Sequence, residues 1–372
     1  MTVQQTLAEL VAINSVSSRS NEEIISYLER RCLAQGLIVK RFPYVDDKGI
    51  EKINLVALTQ SQTTVELALV GHTDTVPFDQ TWTDALRLSE TDEKLFGRGA
   101  CDTKAFIACA LTALESLDLK KLKKPLALIF TADEEVGCVG AKRLADAEPF
   151  RVNYAIVGEP TSLQPIHAGK GYCLAEITVR GREAHSAYPE LGVSAIFHAA
   201  RLIAHIENIS KELQADHRDV FDPPYTTLNV GLINGGSAKN IVAGECRFTL
   251  EWRTVPGQSA NHVLNLVHQA IADLKASDSD FTCEVKAARA DESFETDVES
   301  PLAKLLSNAA SKAPGTIAFG TEAPSMIALG AEAIVFGPGD IRFAHRTGEF
   351  VPVGELNTCV DVLRLAIERF CL

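Results

Sequence analysis

Along the chain, apolar residues recur first at helical and then at strand spacing. Ile24, Ile25, Leu28 and Cys32 follow Ser20 and Glu23, a pair with the spacing of a capping box, and Gly36 stops the pattern. This predicts a helix near the start of the chain. Short apolar runs then end in turn residues at Asn54 to Leu58, Leu67 to Val70, Leu126 to Thr131 and Tyr154 to Val157. A helical segment, Ala105 to Leu117, lies between the second and third of them. Strands interleaved with helices predict an α/β layer structure, its sheet covered on both faces.

The middle of the chain has a different period. Ala175, Ile177 and Val179 alternate with Glu176, Thr178 and Arg180, and Cys246, Phe248, Leu250 and Trp252 alternate with charged or polar neighbours. Such period-two patterning belongs to a sheet with one wet face. With helices near Val193 to Ile209 and Gln258 to Leu274, and further strands at Thr226 to Ile233 and Phe281 to Ala287, the order is β-α-β-β-α-β, a ferredoxin-like arrangement. The α/β character then resumes with a helix over Pro301 to Ala313, strands at Thr316 to Phe319 and Ala333 to Phe336, and a closing helix from Leu356. The expected fold is therefore α/β, with a central mixed sheet built by residues 1–173 and 290–372, interrupted by an α+β domain at 174–289.

Composition narrows the partners. A net charge of -13 disfavours nucleic acid, which needs clustered Lys and Arg. The one dense basic run, Lys120 to Lys124, reads as the solvated end of a helix. No apolar stretch is long enough to span a bilayer, and the start lacks the basic and apolar regions of a signal peptide. Nine cysteines, with no C-x-x-C pair, read as reduced core residues, so the expected compartment is the cytoplasm.

In α/β sheets ligands gather outside the carboxyl ends of the strands. Here those ends carry His72 and Asp74, then Asp133, Glu134 and Glu135, then Glu159, and finally GPGDIRFAH ending in His345. Gly71 is expected to turn the backbone between the first strand and His72. Asp102, in GRGACDTK, lies just ahead of a helix. Alone, Asp102 reads as a helix N-cap and Glu134–Glu135 as a solvated turn. Together, two imidazoles and three carboxylates suit a pair of borderline divalent cations with one carboxylate between them. Asp74, two residues from His72, is placed to hold that imidazole's second nitrogen. If extended, Glu134 and Glu135 point to opposite sides, so one can bind metal while the other handles protons.

GHTDTVP, GRGACDTK, TADEEVG, GEPT and the late His345, in that order and spacing, resemble the M20 family of di-zinc peptidases and deacylases over essentially the whole chain. The resemblance implies that His72 and Glu159 hold one metal, Glu135 and His345 the other, with Asp102 bridging. It implies that Asp74 orients His72, and that Glu134 is the general base for the attacking water. The metals implied are two divalent ions, zinc with cobalt as the alternative. The inserted domain matches the family's lid or dimerisation domain. His185 in GREAHSA matches a lid histidine that reaches across a homodimer to supply an oxyanion donor, while Asn240 and Arg253 match positions associated with the substrate carboxylate. Longer runs, including VGEPTSLQP, PPYTTLNVG and FGPGDIRFAH, are similar to a bacterial branch that removes the acetyl group of N2-acetyl-L-ornithine in arginine biosynthesis. Succinyl-diaminopimelate and acetylcitrulline hydrolysis stay open as alternatives within the family. Glu322 in GTEA is a candidate partner for a cationic substrate side chain, or simply a carboxylate at a helix start.

Two departures from the family pattern stand out: Thr103 and Ala105 in GRGACDTKAF, and RTGEF after His345. A noncatalytic binding protein on the same fold would be expected to lose ligands or Glu134, and all are present. GRGACD lacks the third glycine of a dinucleotide fingerprint, and no G-x-S-x-G or H-E-x-x-H occurs. His198, Arg201 and His205 are expected on a solvated helix face, opposite Ile196, Ala199 and Ile203.

Overall fold

A computed structural model describes all 372 residues. Tertiary contacts divide the chain into two units. The first comprises Met1–Ala168, Glu295–Gly315 and Thr321–Leu372; the second comprises Gly169–Phe294 and Thr316–Gly320.

The first unit is built on a mixed sheet. Six of its nine strands run in the spatial order Ile38–Val45, Glu51–Leu58, Leu126–Thr131, Thr64–His72, Arg151–Val157 and Glu332–Val335. The last four of these six are parallel, paired through Leu67 with Leu126, Leu67 with Tyr154, and Val335 with Val157. Their carboxyl ends therefore lie along one edge, which is where the candidate ligands emerge. Every residue of Leu126–Thr131 is buried, as expected for a parallel strand covered on both faces. Helix Lys104–Glu115 carries ten buried residues in twelve and packs against the closing helix Val353–Cys371.

The second unit is a four-stranded antiparallel sheet in the order Thr227–Gly235, Glu245–Arg253, Tyr172–Arg180 and Thr282–Asp291. Helices Ala195–Glu212 and His262–Ser277 complete the ferredoxin-like β-α-β-β-α-β order. In Glu245–Arg253, Cys246, Phe248, Leu250 and Trp252 are all buried, so the alternation in the sequence marks the core face.

Several local expectations differ. Helix Glu22–Ala34 begins after Asn21 with no side-chain cap, and Ser20 only receives the Glu22 N–H at 3.3 Å; the reciprocal capping box is instead Thr2 with Gln5, opening helix Val3–Ala12. Gly71 is not a turn. The strand continues through it to His72, and a Cβ there would lie 3.0 Å from Ile107 Cγ1 and 3.4 Å from Phe106, so the glycine admits close packing of helix Lys104–Glu115. His198 is buried, stacking on Phe281 and facing Asp278, whereas Ile196 and Phe197 are exposed. Arg201 and His205 are exposed and Ala199 is buried, as the spacing suggests, so the departure is confined to His198 and Ile196. Residues 316–320 join the second unit, because Thr316 Oγ1 donates to the Val220 carbonyl and Arg253 to the Ala318 carbonyl. Eight of the nine cysteines are buried and none is in a disulfide.

Candidate metal centre

Four strand ends and one helix start converge. His72 is the last residue of its strand and is buried, its Nε2 lying 3.1 Å from Asp102 Oδ1. The other Asp102 oxygen lies 3.1 Å from His345 Nε2. His345 also faces Glu135, at 3.0 Å. Donor atoms of His72, Glu134 and Glu159 all lie within 4.8 Å of one another, and so do those of Asp102, Glu135 and His345. One carboxylate thus stands between two groups, each with a histidine facing it.

The backbone around these residues is held by side chains that carry no chemistry of their own. Asp74 accepts the Glu134 N–H at 3.1 Å, the Glu135 N–H at 3.3 Å and the Ser17 hydroxyl at 2.8 Å. Its carboxylate therefore fixes the Glu134–Glu135 turn. His72 Nδ1 is instead 3.0 Å from the Asp74 main-chain carbonyl, with the carboxylate at 3.7 Å. Asp74 steers the imidazole through its backbone, and the expected carboxylate–imidazole bond is replaced by two amide contacts.

Asp133, an outside candidate in the sequence, turns away. It is buried against Lys52 Nζ at 2.8 Å and receives the Tyr44 hydroxyl at 2.9 Å. Asn54 spans the same loop, accepting from Ala132 N and donating to the Gly140 carbonyl. A Cβ at Gly140 would lie 2.3 Å from the Ala132 carbonyl oxygen, so only glycine lets helix Val139–Asp146 start this close. Asp102 is not the helix N-cap; Thr103 holds that position ahead of Lys104–Glu115, and its hydroxyl donates to the Gly158 carbonyl.

Electrostatically the cluster is short of positive charge. Burial, reinforced by Glu135 and Asp102, pushes Glu134 up to about 8. Burial and Asp102 likewise raise Glu135 and Glu159. Burial opposes the charged form of His72, but its hydrogen bond to Asp102 and the carboxylates around it raise it well above its ordinary value. Hydrogen bonds to Asp102 and Glu135 raise His345 to about 10. Burial works against ionised Asp102, yet hydrogen bonds with His345 and His72 carry it below the usual carboxylate range. Protons occupy the donors that cations require, so cation binding must release them. Two imidazoles and four carboxylates, in two sets of oxygen and nitrogen donors with Asp102 facing the histidine of each, fit a divalent pair.

A stability profile follows. Glu134 and His345 are both raised, from ordinary values of 4.5 and 6.5. Their protonated forms therefore favour the folded state. That contribution is complete below the ordinary values and is lost as pH rises through about 8 and about 10. Asp102 is lowered, so its contribution is lost only as pH falls below its ordinary 3.8. The thermal midpoint of the metal-free protein is expected to fall between about pH 6 and about pH 10, and divalent cations to flatten that fall. Calorimetric midpoints that hold level or rise across this range without metal would contradict the charge balance described.

Three of the remaining candidates belong to the second unit. His185 is exposed in the second unit, its Nδ1 accepting from Ala187 N, and it forms an isolated bridge with Ile241. Asn240 is beside it in the fold, its carbonyl accepting from Ser186 N. Arg253 lies over the Tyr172 ring at 4.4 Å and pairs with Glu251. Glu322, in the first unit, is 1% exposed and makes no capping bond to helix Ala323–Ala328. Its Oε1 has no hydrogen-bond partner, and burial raises it to about 7.

The profile of peptidase family M20/M25/M40 matches residues 68–369, and the chain belongs to that family. A Myxococcus xanthus protein named acetylornithine deacetylase is 49% identical over 372 residues, covering 99% of this chain and 97% of that one. A Proteus mirabilis protein of the same name is 34% identical, covering 98% and 95%. Among solved structures, a Staphylococcus aureus tripeptidase superposes with a TM-score of 0.78 at 25% identity, covering 98% of this chain and 96% of that one. A Bacillus subtilis protein described as a dinuclear metal-binding peptidase of the M20 family has the same fold, with a TM-score of 0.70 at 14% identity, covering 99% and 97%. The chain is accordingly a hydrolase of that family.

Proposed function

We propose that the protein hydrolyses the acetyl amide of N2-acetyl-L-ornithine, giving L-ornithine and acetate, a step of arginine biosynthesis. The observation that carries the chemistry is Asp102, whose two oxygens each meet one histidine Nε2 at 3.1 Å with Glu134 buried alongside. The substrate assignment draws on the relatives' names at 49% and 34% identity over nearly the full chain.

His72 and Glu159 would hold one cation, Glu135 and His345 the other, with Asp102 between them. Zinc suits this donor set, and cobalt is the alternative. When bound, the pair would polarise the amide carbonyl and acidify a nearby water. Glu134 then takes a proton from the attacking water as its oxygen bonds to the carbonyl carbon. As the C–N bond breaks, Glu134 returns that proton to the departing amine. Asp74 supports the step by pinning the Glu134 and Glu135 amides.

His185 would supply an oxyanion donor across a homodimer formed by the second unit, with Asn240 and Arg253 meeting the substrate carboxylate and Glu322 a cationic side chain. The edge strand Thr227–Gly235, with Leu232 72% and Ile233 58% exposed, favours such self-association. Sedimentation that finds only monomer removes the cross-dimer role. Cysteines buried without disulfides favour a reducing compartment, the cytoplasm. No helix is long and apolar enough to cross a membrane.

The test is kcat/KM on metal-loaded protein for acetylornithine, acetylcitrulline, acetylmethionine and succinyl-diaminopimelate. Acetylornithine is expected to lead. Turnover of another substrate with none of acetylornithine overturns the substrate and leaves the mechanism.

A further inference from the structure

Glu349, in the RTGEF segment that departs from the family pattern, is almost fully buried, with 1% exposure. One of its oxygens, Oε1, accepts two backbone N–H groups, from Cys101 at 2.9 Å and from Asp102 at 3.1 Å. The other, Oε2, meets Arg98 Nη1 at 2.5 Å. Arg98 is itself buried, lies over the Trp82 ring and reaches the Pro77 carbonyl. Pairing of Phe350 with Phe96 and of Val351 with Leu95 anchors the segment just beyond Glu349, while Gly97 donates its N–H to the Glu349 carbonyl. Four residues before Glu349 stands His345, facing Asp102 Oδ2. A single short segment therefore carries one histidine of the cluster and the grip on the backbone of the central carboxylate.

A buried ion pair is costly to assemble and weak evidence of stabilisation, since well-packed apolar residues in its place often serve as well. Its geometry here is specific. Glu349 gathers the amides at Asp102 instead of capping helix Lys104–Glu115, whose N-cap is Thr103. We propose that Glu349, held by Arg98, is a positioning residue that sets Asp102 midway between the two donor groups, so that both cations can share it. This rests on the reading of Asp102 as the shared ligand, and is independent of which acyl amino acid is cleaved. Partners that orient ligands typically change metal affinity by about 10–100-fold when lost.

The experiment is cobalt titration of the metal-free full chain, wild type against Glu349→Gln and Glu349→Leu, followed by absorbance and by the magnetic coupling of the two Co2+ ions in EPR. Thermal midpoints are measured alongside. Glutamine keeps an oxygen for the two amides without the charge; leucine keeps neither. Wild type is expected to bind two coupled ions. Leucine is expected to weaken one ion by about 10–100-fold with loss of coupling, and glutamine to fall between leucine and wild type. If the leucine variant does not fold, glutamine alone decides. A folded variant of either kind with both affinities and the coupling unchanged overturns the proposal, as does a lowered midpoint with both ions weakened equally, the mark of a merely structural role. A wild-type protein that binds no coupled pair overturns the shared-ligand reading itself.

Discussion

Glu134→Gln is expected to lower kcat for acetylornithine by about 10³-fold, within the range for losing a positioned general base, while two metal ions per chain remain. Glu134 is buried beside His72 and Glu159, and its amide is fixed by Asp74 Oδ1 at 3.1 Å. Burial and the neighbouring carboxylates push it to about 8, so without cations it holds a proton at neutral pH. Bound cations would oppose that effect and favour the carboxylate form that accepts protons. Glutamine keeps the shape and cannot take a proton. Metal content by elemental analysis with kcat by a deacetylation assay distinguishes the cases. Retained turnover removes the base, and lost metal would make Glu134 a ligand instead.

The second large effect is expected at Asp102. Asp102→Ala removes the one carboxylate that meets both His72 and His345. Affinity for at least one cation is expected to fall by more than the ~10–100-fold of an outer partner, and activity with it, without recovery at ordinary metal concentrations. Dialysis equilibrium of zinc against wild type and variant reads this directly. Two ions held with wild-type affinity would place the shared ligand elsewhere.

Much of this was legible in the chain because strand ends write themselves clearly. A fully buried parallel strand must be a short apolar run, and whatever follows it emerges at the carboxyl edge. Leu67 to Val70, Leu126 to Thr131 and Tyr154 to Val157 therefore point to His72, Glu134, Glu135 and Glu159 from the sequence alone. The supporting residues were not legible. Ser17 reaches Asp74 across 57 positions, Lys52 reaches Asp133 across 81, and Glu349 reaches Cys101 across 248, each as a lone polar residue without local pattern. The true partner of His72 Nδ1 is a backbone carbonyl, which no side chain announces.

Short-range signals failed where contacts with distant residues decided the local arrangement. The Ser20–Glu23 spacing mimicked a capping box worth about 1 kcal/mol, yet Asn21 became the N-cap and spent its side chain on Ile53, whose carbonyl it meets at 2.9 Å. In helix Ala195–Glu212 the histidine spacing suggested a wet face, but stacking on Phe281 and the charge of Asp278 make His198 an acceptable buried residue. The return of residues 316–320 to the second unit depends on bonds to Val220 and Arg253 that only the tertiary fold brings near.

The most direct test of a cation pair shared by Asp102 is anomalous diffraction from zinc-loaded crystals, measured on both sides of the zinc edge. Two peaks about 3.5–4 Å apart are expected, one beside His72 and Glu159, the other beside Glu135 and His345, with an Asp102 oxygen on each. A single peak, or two peaks that Asp102 does not touch, would contradict the account.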